Sequence, residues 1–117
     1  MLTLPAQMRI YLRVAPTDMR KSFDGLGALV RSEFCAEPTD GSLFLFVNRR
    51  RDRIKMLYWD RDGLAIWYKR LESGTLETIG GAEGRATVEI DGVQLAMLLG
   101  GVTMSTAKRR KRYAIVG

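Results

Sequence analysis

Apolar and polar side chains alternate between residues 42 and 71 in a pattern that predicts a three-stranded β-meander. The predicted strands are residues 43–48, 53–59 and 64–70, with a polar four-residue turn between each pair. The second turn ends in Asp62-Gly63, a dipeptide typical of hairpins. Tight closure of both turns predicts four cross-strand pairs: Asn48 with Arg53, Phe46 with Lys55, Trp59 with Leu64, and Lys55 with Tyr68.

The two faces of this meander differ in character, because successive side chains of a strand point to opposite sides. One face is almost entirely apolar and predicts a core: Leu43, Leu45, Val47, Ile54, Met56, Tyr58, Ala65 and Trp67. The other face is apolar only near the Asp-Gly turn, where it has Phe44, Leu57, Trp59, Leu64 and Ile66. Near the turn 49–52, which contains three arginines, it has Phe46, Asn48, Arg53, Lys55, Tyr68 and Arg70.

The residues before the meander predict a strand, a helix and a loop. Residues 8–14 alternate between apolar and polar side chains, which indicates a half-buried strand. From Asp18 to Phe34 apolar residues recur every three or four positions, which predicts an amphipathic helix capped by Thr17 or Asp18. Residues 35–41 include a proline and a glycine and indicate a loop.

The residues after the meander predict less regular structure. The glycine-rich stretch 72–84 favours a mobile connection or an irregular hairpin. Residues 85–90 alternate and predict a short final strand. Asp91 is expected to cap a short helix, which ends at Gly100-Gly101.

Together these elements predict one α+β domain in residues 1–101, a mainly antiparallel sheet built on the meander. One long helix packs on a face of the sheet, and a short helix follows at the C-terminal side. Residues 102–117 lack an apolar period, which predicts a basic, disordered tail. The single Cys35 permits no internal disulfide, and neither a signal peptide nor a run of about 18 apolar residues is recognisable. We therefore expect a cytoplasmic protein that has no membrane segment.

Positive charge is concentrated in two zones. Residues 49–70 have eight basic and three acidic side chains, a balance of +5, and residues 103–117 have five basic and no acidic ones, again +5. The other residues, with six basic and ten acidic side chains, sum to −4, so the net charge is +6. This segregation favours a polyanionic partner, although it also suits a solvated surface. The candidate nucleic-acid-binding residues are Arg49, Arg50, Arg51, Arg53, Lys55, Lys69, Arg70, Lys108, Arg109, Arg110, Lys111 and Arg112.

Several side chains near these cations allow two interpretations. Phe46 and Tyr68 could stack bases while the cations hold phosphates, or they could belong to the sheet core. Arg20 and Lys21 could contact a ligand or remain ordinary solvated charges. Both tryptophans of the meander are expected to anchor the core.

Groups for catalysis are scarce in this sequence. It has no histidine, and Cys35 lies in a loop without an evident base, so acid–base or nucleophilic catalysis is not expected. A metal-dependent nuclease would use Asp24, Asp52, Asp60 and Asp62 as its carboxylates. The predicted hairpin places Asp52 at the opposite end from Asp60 and Asp62, too far to share metal ions. We therefore expect no catalytic residue, bound metal or cofactor.

Three separated segments, in the right order, resemble one family. They are PTDMRKSFDGLGALV (16–30), LFLFVNRRRDRIKMLYWDRDGLAIWYKRLE (43–72) and QLAMLLGG (94–101). Together they are similar to TnpB, the small accessory protein of insertion sequences in the IS sixty-six class, which is distinct from the RNA-guided nuclease of the same name. The resemblance implies a role in transposition beside a separate, larger transposase that carries the nuclease chemistry.

The function expected from residues and resemblance together is a non-catalytic accessory protein that helps to assemble a transposition complex. Its expected partners are DNA, the transposase, or both. A pure protein–protein adaptor is the main alternative, and a metal-dependent nuclease is a distant one. An exposed sheet edge also leaves a homo-oligomer open.

Overall fold

The computed structural model describes residues 8–79 and 84–100, which form an α+β fold of five strands and two helices. The elements are β1 (Ile10–Arg13), α1 (Phe23–Glu33), β2 (Leu43–Val47), β3 (Arg53–Asp60), β4 (Gly63–Arg70), β5 (Thr87–Ile90) and α2 (Gly92–Gly100). All five strands lie in one sheet in the order β4-β3-β2-β1-β5. The sheet is mixed, because β1 and β2 are parallel whereas the other neighbouring pairs are antiparallel.

The meander has the predicted register. The ladder pairs Phe46 with Lys55, Lys55 with Tyr68, and Trp59 with Leu64, and the amide of Asn48 donates to the carbonyl of Arg53 over 3.2 Å. The second turn is tighter than predicted, because β3 and β4 continue to a pair between Asp60 and Gly63. Only Arg61 and Asp62 lie between these strands, and Arg61 has a φ of 58°.

Each face of the sheet has its own core. The face predicted to be apolar packs against Leu76 and against Leu95 and Leu98 of α2. The face predicted to be divided is buried further than expected, because α1 covers it with Leu26 and Val30. Phe44, Phe46 and Leu57 complete this second core, so Phe46 is a core residue and not a stacking surface.

The two tryptophans differ from each other. Trp67 is half-buried and packs against the core on the α2 side of the sheet, as expected of an anchor. Trp59 is 37% exposed, so the prediction that it anchors the core is wrong. Trp59 is the second-last residue of β3 and lies next to the turn at the tip of the hairpin.

Helix α1 is shorter than predicted, since it begins at Phe23 and not at Asp18. Asp18 forms a turn of its own, in which its carboxylate accepts a hydrogen bond from the amide of Arg20 over 2.9 Å. Such a side chain competes with the helix for backbone amides, which explains the late start. Ser22 takes the cap position, and Phe23 is 44% exposed and so lies outside the core.

The C-terminal helix has the predicted cap. Asp91 accepts a hydrogen bond from the amide of Gln94 over 2.7 Å, and the side chain of Gln94 accepts one from the amide of Asp91 over 2.9 Å. This reciprocal pair is a capping box. Residues 71–79 form neither helix nor strand, whereas residues 80–83 and the predicted tail 102–117 lie outside the described residues. Among the residues described, no helix is both long and apolar enough to cross a membrane.

Candidate nucleic-acid interface

An open groove of about 630 Å³ lies at one end of the sheet, where the interior strands β1 and β2 end. Because these strands are parallel, the loop after β1 and the turn after β2 emerge side by side. Residues 16–20 line one side of the groove, and residues 48–50, 52 and 53 line the other. We call this concavity the arginine groove, since its lining contains four arginines and two aspartates, a formal balance of +2.

The turn after β2 is held by the side chain of Asn48. Its amide oxygen accepts hydrogen bonds from the backbone amides of Asp52 and Arg53, both over 3.0 Å. Its amide nitrogen donates to the carboxylate of Asp52 over 2.6 Å. The exposed side chains of Arg49 and Arg50 therefore project from a backbone that is fixed from inside the turn.

Arg51, between these exposed residues and β3, has a different role. Its backbone has a φ of 59°, and its guanidinium donates to the carbonyls of Leu76 and Glu77, the first over 3.0 Å. Its own carbonyl accepts from the amide of Leu76 over 2.6 Å. Burial lowers the pKa of the Arg51 guanidinium, and the charge of Glu77 acts against that shift. Arg51 thus ties the turn to the segment after β4 and is not directed into the groove.

The loop that forms the opposite wall is tied to the sheet and to α1. The amide of Thr17 donates to the carbonyl of Val47 over 2.8 Å. The guanidinium of Arg13 donates to the carbonyl of Pro16 over 2.7 Å and pairs with Glu33 of α1 over 2.9 Å. These contacts fix both walls of the arginine groove to the same end of the sheet.

Lys55, a predicted nucleic-acid-binding residue, has its ammonium group inside the fold. Lys55 is only 8% exposed, and its Nζ donates to the carbonyls of Met19 and Lys21 over 2.8 and 2.7 Å. The same Nζ lies 4.8 Å from the ring centroid of Tyr68. Lys55 therefore positions the loop wall and the Tyr68 ring, and its charge does not face a ligand in the groove.

Arg20 is exposed at the rim of the groove and is paired with Asp18. The shortest contact joins Arg20 Nη2 and Asp18 Oδ2 at 2.7 Å, and Nε approaches both carboxylate oxygens. The hydrogen bond from the Arg20 side chain is the largest cause that lowers the pKa of Asp18, to about 2. The charges of this exposed pair offset each other, so Arg49, Arg50 and Arg53 supply the excess positive charge of the groove.

A second concavity of about 380 Å³ adjoins the groove and shares Arg53 with it. It is also lined by Tyr68, Arg70 and Glu72. Arg53 lies directly opposite Arg70 in the ladder between β3 and β4, and Arg70 pairs with Glu72 over 3.2 Å. Positive charge therefore continues from the turn along this face of the hairpin.

One described candidate, Lys69, does not join this surface. Lys69 is paired in the ladder with Ile54, whose side chain lies in the core under α2, so Lys69 lies on the other face of the sheet. Lys108, Arg109, Arg110, Lys111 and Arg112 lie outside the described residues.

Comparison with known proteins shows where the chain belongs. Residues 8–109 match the family of IS66 Orf2-like proteins, so the match includes every element of the fold described above. The chain belongs to the IS66 Orf2-like family. This membership confirms the resemblance seen in the sequence and makes the chain an insertion-sequence-associated accessory protein.

Two relatives of this IS66 Orf2-like protein come from Sinorhizobium fredii (strain NBRC 101917 / NGR234), and both are described as uncharacterized. The protein y4hO is 33% identical over 117 residues, which is 100% of each chain. The protein y4jC is 42% identical over 67 residues, and this alignment spans 57% of each chain. No solved structure shows a significant match.

The carboxylates considered for metal binding are not gathered in this IS66 Orf2-like fold. Asp60 and Asp62 flank the tip of the hairpin, whereas Asp52 precedes the other end of β3 and is bonded to Asn48. Within residues 8–79 and 84–100, no three side chains of His, Cys, Asp or Glu lie close enough to hold a metal ion. The exposed thiol of Cys35 is free.

The sequence does not identify as functional three residues whose hydrogen bonds fix the walls of the groove: Arg13, Thr17 and Asn48. Asn48 carried a usable signal, because an asparagine before a turn often bonds to backbone amides two or more residues later. The order of strand, helix and strand was a second signal, since it is typical of a parallel pair with a helical crossover. Arg13 offered no local signal, because its partner Glu33 is 20 residues away.

Proposed function

We propose that this IS66 Orf2-like protein is a non-catalytic accessory protein of transposition that binds DNA through the arginine groove. The separate transposase of the same element is its second proposed partner and supplies the nuclease chemistry. One observation carries the proposal: the fold uses Arg51 and Lys55 for internal hydrogen bonds but leaves Arg49 and Arg50 exposed on a rigid turn.

Exposed arginines on a fixed backbone suit the binding of phosphate. A guanidinium offers several N–H donors in a planar fork that matches phosphate oxygens, and a rigid base reduces the entropy lost on binding. Contacts of this kind position a protein on the DNA backbone and carry no base specificity themselves. The groove would therefore set the orientation of the domain on DNA.

The same charges do little for folding stability, which favours a role in binding. Like charges directly opposite each other in a ladder destabilise a sheet, and Arg53 and Arg70 are such a pair. The Arg20–Asp18 pair is exposed to solvent, where an ion pair contributes little. A polyanion bound in the groove would relieve the repulsion between Arg53 and Arg70.

The test compares DNA binding of the wild type with that of the double variant Arg49→Ala/Arg50→Ala across a salt series. Each phosphate neutralised adds about 0.9 to the slope of log K against log salt concentration, so the slope should fall by up to about 2. A matched control is Lys69→Ala/Arg85→Ala, which removes two exposed positive charges outside the groove. The control should keep the wild-type slope, because neither residue lines the groove, and it matches the loss of two positive charges in the test variant.

Other outcomes would favour the alternatives. The protein–protein adaptor would be supported by two results together. The salt slopes of the wild type and both variants would be equal, and only the Arg49→Ala/Arg50→Ala variant would bind purified transposase more weakly. DNA cleavage with magnesium or manganese that disappears in Asp60→Asn or Asp62→Asn would contradict the non-catalytic role. The Asp variants are needed because a contaminating nuclease would persist in them.

A further inference from the structure

We propose that Tyr68 stacks one unpaired base of a DNA strand whose backbone lies along the arginine groove. This inference rests on the proposed function, because it names the form of DNA that the same positive surface would bind. The ligand class for Tyr68 is therefore DNA with a single-stranded segment, such as a frayed or overhanging end, whereas the arginine groove alone would also bind a fully paired duplex.

The ring of Tyr68 is both exposed and held in place. Tyr68 is 48% exposed, although it lies on the sheet face that α1 covers. The ammonium of Lys55 lies 4.8 Å from the ring centroid, and Arg53 Nη1 donates to the Tyr68 hydroxyl over 3.4 Å. Because Lys55 occupies one face of the ring, the exposed surface belongs to the other face and the edge. A base could stack on that face with little loss of side-chain entropy.

Lys55, which contacts the Tyr68 ring, is itself held by hydrogen bonds inside the fold. Its ammonium bonds to the carbonyls of Met19 and Lys21, in the segment that enters α1. The loop wall of the arginine groove and the Tyr68 ring are therefore positioned by one buried cation. This link places the aromatic surface and the groove in a constant relation to each other.

Cations flank Tyr68 where the phosphates of a stacked nucleotide would lie. Arg70 follows Tyr68 by two residues on the same face of β4, and Arg53 lies opposite Arg70 on β3. Together with Glu72 and Tyr68 these residues line an open, shallow concavity of about 380 Å³. Arg53 also lines the arginine groove, so one strand could pass from the groove to Tyr68 without leaving positive surface.

Unpaired DNA is favoured over duplex by the chemistry of stacking. In a duplex the faces of the bases are covered by their neighbours, so a side chain reaches a base face chiefly at an unpaired position, such as an overhang or a frayed end. Aromatic residues beside cations are the usual means of binding single strands without strong sequence preference.

The experiment measures affinity for a blunt duplex and for the same duplex with a short single-stranded overhang. The variants are Tyr68→Leu, Tyr68→Phe and, as a matched exposed aromatic, Phe23→Leu, since Phe23 is 44% exposed. We expect Tyr68→Leu to lower affinity for the overhang DNA by roughly five- to 150-fold, the range for loss of one stacked base, and to leave blunt-duplex affinity unchanged. Tyr68→Phe and Phe23→Leu should retain wild-type affinity for both.

A second readout does not depend on affinity. With 2-aminopurine in the overhang, wild-type protein should quench the emission by stacking, and Tyr68→Leu should not. Equal affinities of the wild type and Tyr68→Leu for overhang DNA, or equal quenching by both, would overturn the inference while leaving duplex binding intact. Failure of the wild type to bind either DNA would instead refute the proposed function on which the inference rests.

Discussion

The three consecutive arginines of the turn after β2 should respond differently to substitution, although the sequence makes them equivalent. Arg51→Ala should destabilise the fold and leave the salt dependence of DNA binding nearly unchanged. Arg49→Ala should have the opposite profile. The reason is that Arg51 donates to two carbonyls of the segment after β4, whereas the Arg49 side chain is exposed.

The expected size of the Arg51 effect follows from its contacts. Each hydrogen bond to a charged group contributes about 1.5–3 kcal/mol, so two such bonds set an upper range. The alanine variant also recovers the cost of burying the guanidinium, which the lowered pKa of Arg51 reflects. We therefore expect the free energy of unfolding to fall by about 2–3 kcal/mol.

The positive φ of Arg51 provides an internal check on this reasoning. Alanine and arginine meet the same steric penalty at a φ of 59°, so Arg51→Ala isolates the loss of the side-chain bonds. Glycine has no such penalty. Arg51→Gly should therefore be less destabilising than Arg51→Ala, by about 1 kcal/mol.

Urea denaturation of the variants measures these differences, with an unchanged m-value as the sign that the unfolded state is the same. Arg49→Ala is the control and should change stability by no more than about 0.5 kcal/mol, as is usual at exposed positions. A stability loss below about 0.5 kcal/mol in Arg51→Ala, or equal losses in both variants, would refute the division of roles within the turn.

Three further predictions concern the groove and its neighbours. Lys55→Met should lower the free energy of unfolding by about 2–3 kcal/mol, because two carbonyls lose a charged donor, and amide exchange in residues 17–21 should quicken. Arg70→Gln should leave the free energy of unfolding unchanged or raise it by up to about 1 kcal/mol, because it removes a like charge opposite Arg53. The same variant should weaken DNA binding. A loss of both stability and DNA affinity would show instead that Arg70 has a structural role. Arg20→Ala should raise the pKa of Asp18 from about 2 toward its usual 3.8 in an NMR titration. The pKa of Asp18 is lower in the folded than in the unfolded protein, so the stability linked to Asp18 is present above about pH 4 and is lost as pH falls toward 2. An unchanged titration of Asp18 in Arg20→Ala would contradict the pairing of these two residues.

The sequence predicts the meander well because its determinants are local. Two short turns and strict alternation define the register, and the pairs of Phe46 with Lys55 and Trp59 with Leu64 follow directly. The capping box at Asp91 and Gln94 is equally local, since its partners are three residues apart.

The predictions from sequence are wrong where contacts between distant residues determine the structure. The parallel pairing of β1 with β2 depends on how α1 crosses the sheet, and α1 starts late because Asp18 forms its own turn. The roles of Arg51 and Lys55 are set by partners 25 and 36 residues away, the carbonyls of Leu76 and Met19. No spacing within a single segment distinguishes an arginine that ties two segments together from one that faces solvent.

DNA binding by the arginine groove is tested most directly by mapping DNA contacts on the whole protein by NMR. A short element-end duplex is added to labelled protein at physiological salt, and the backbone amide and arginine Nε–H signals are followed. We expect the largest changes at residues 16–20, 48–50, 52 and 53, which line the two walls of the arginine groove, and at Arg70, which extends its positive charge along the hairpin. Changes centred on α2, or the absence of changes at Arg49, Arg50 and Arg53 when DNA is bound, would contradict DNA binding by the arginine groove.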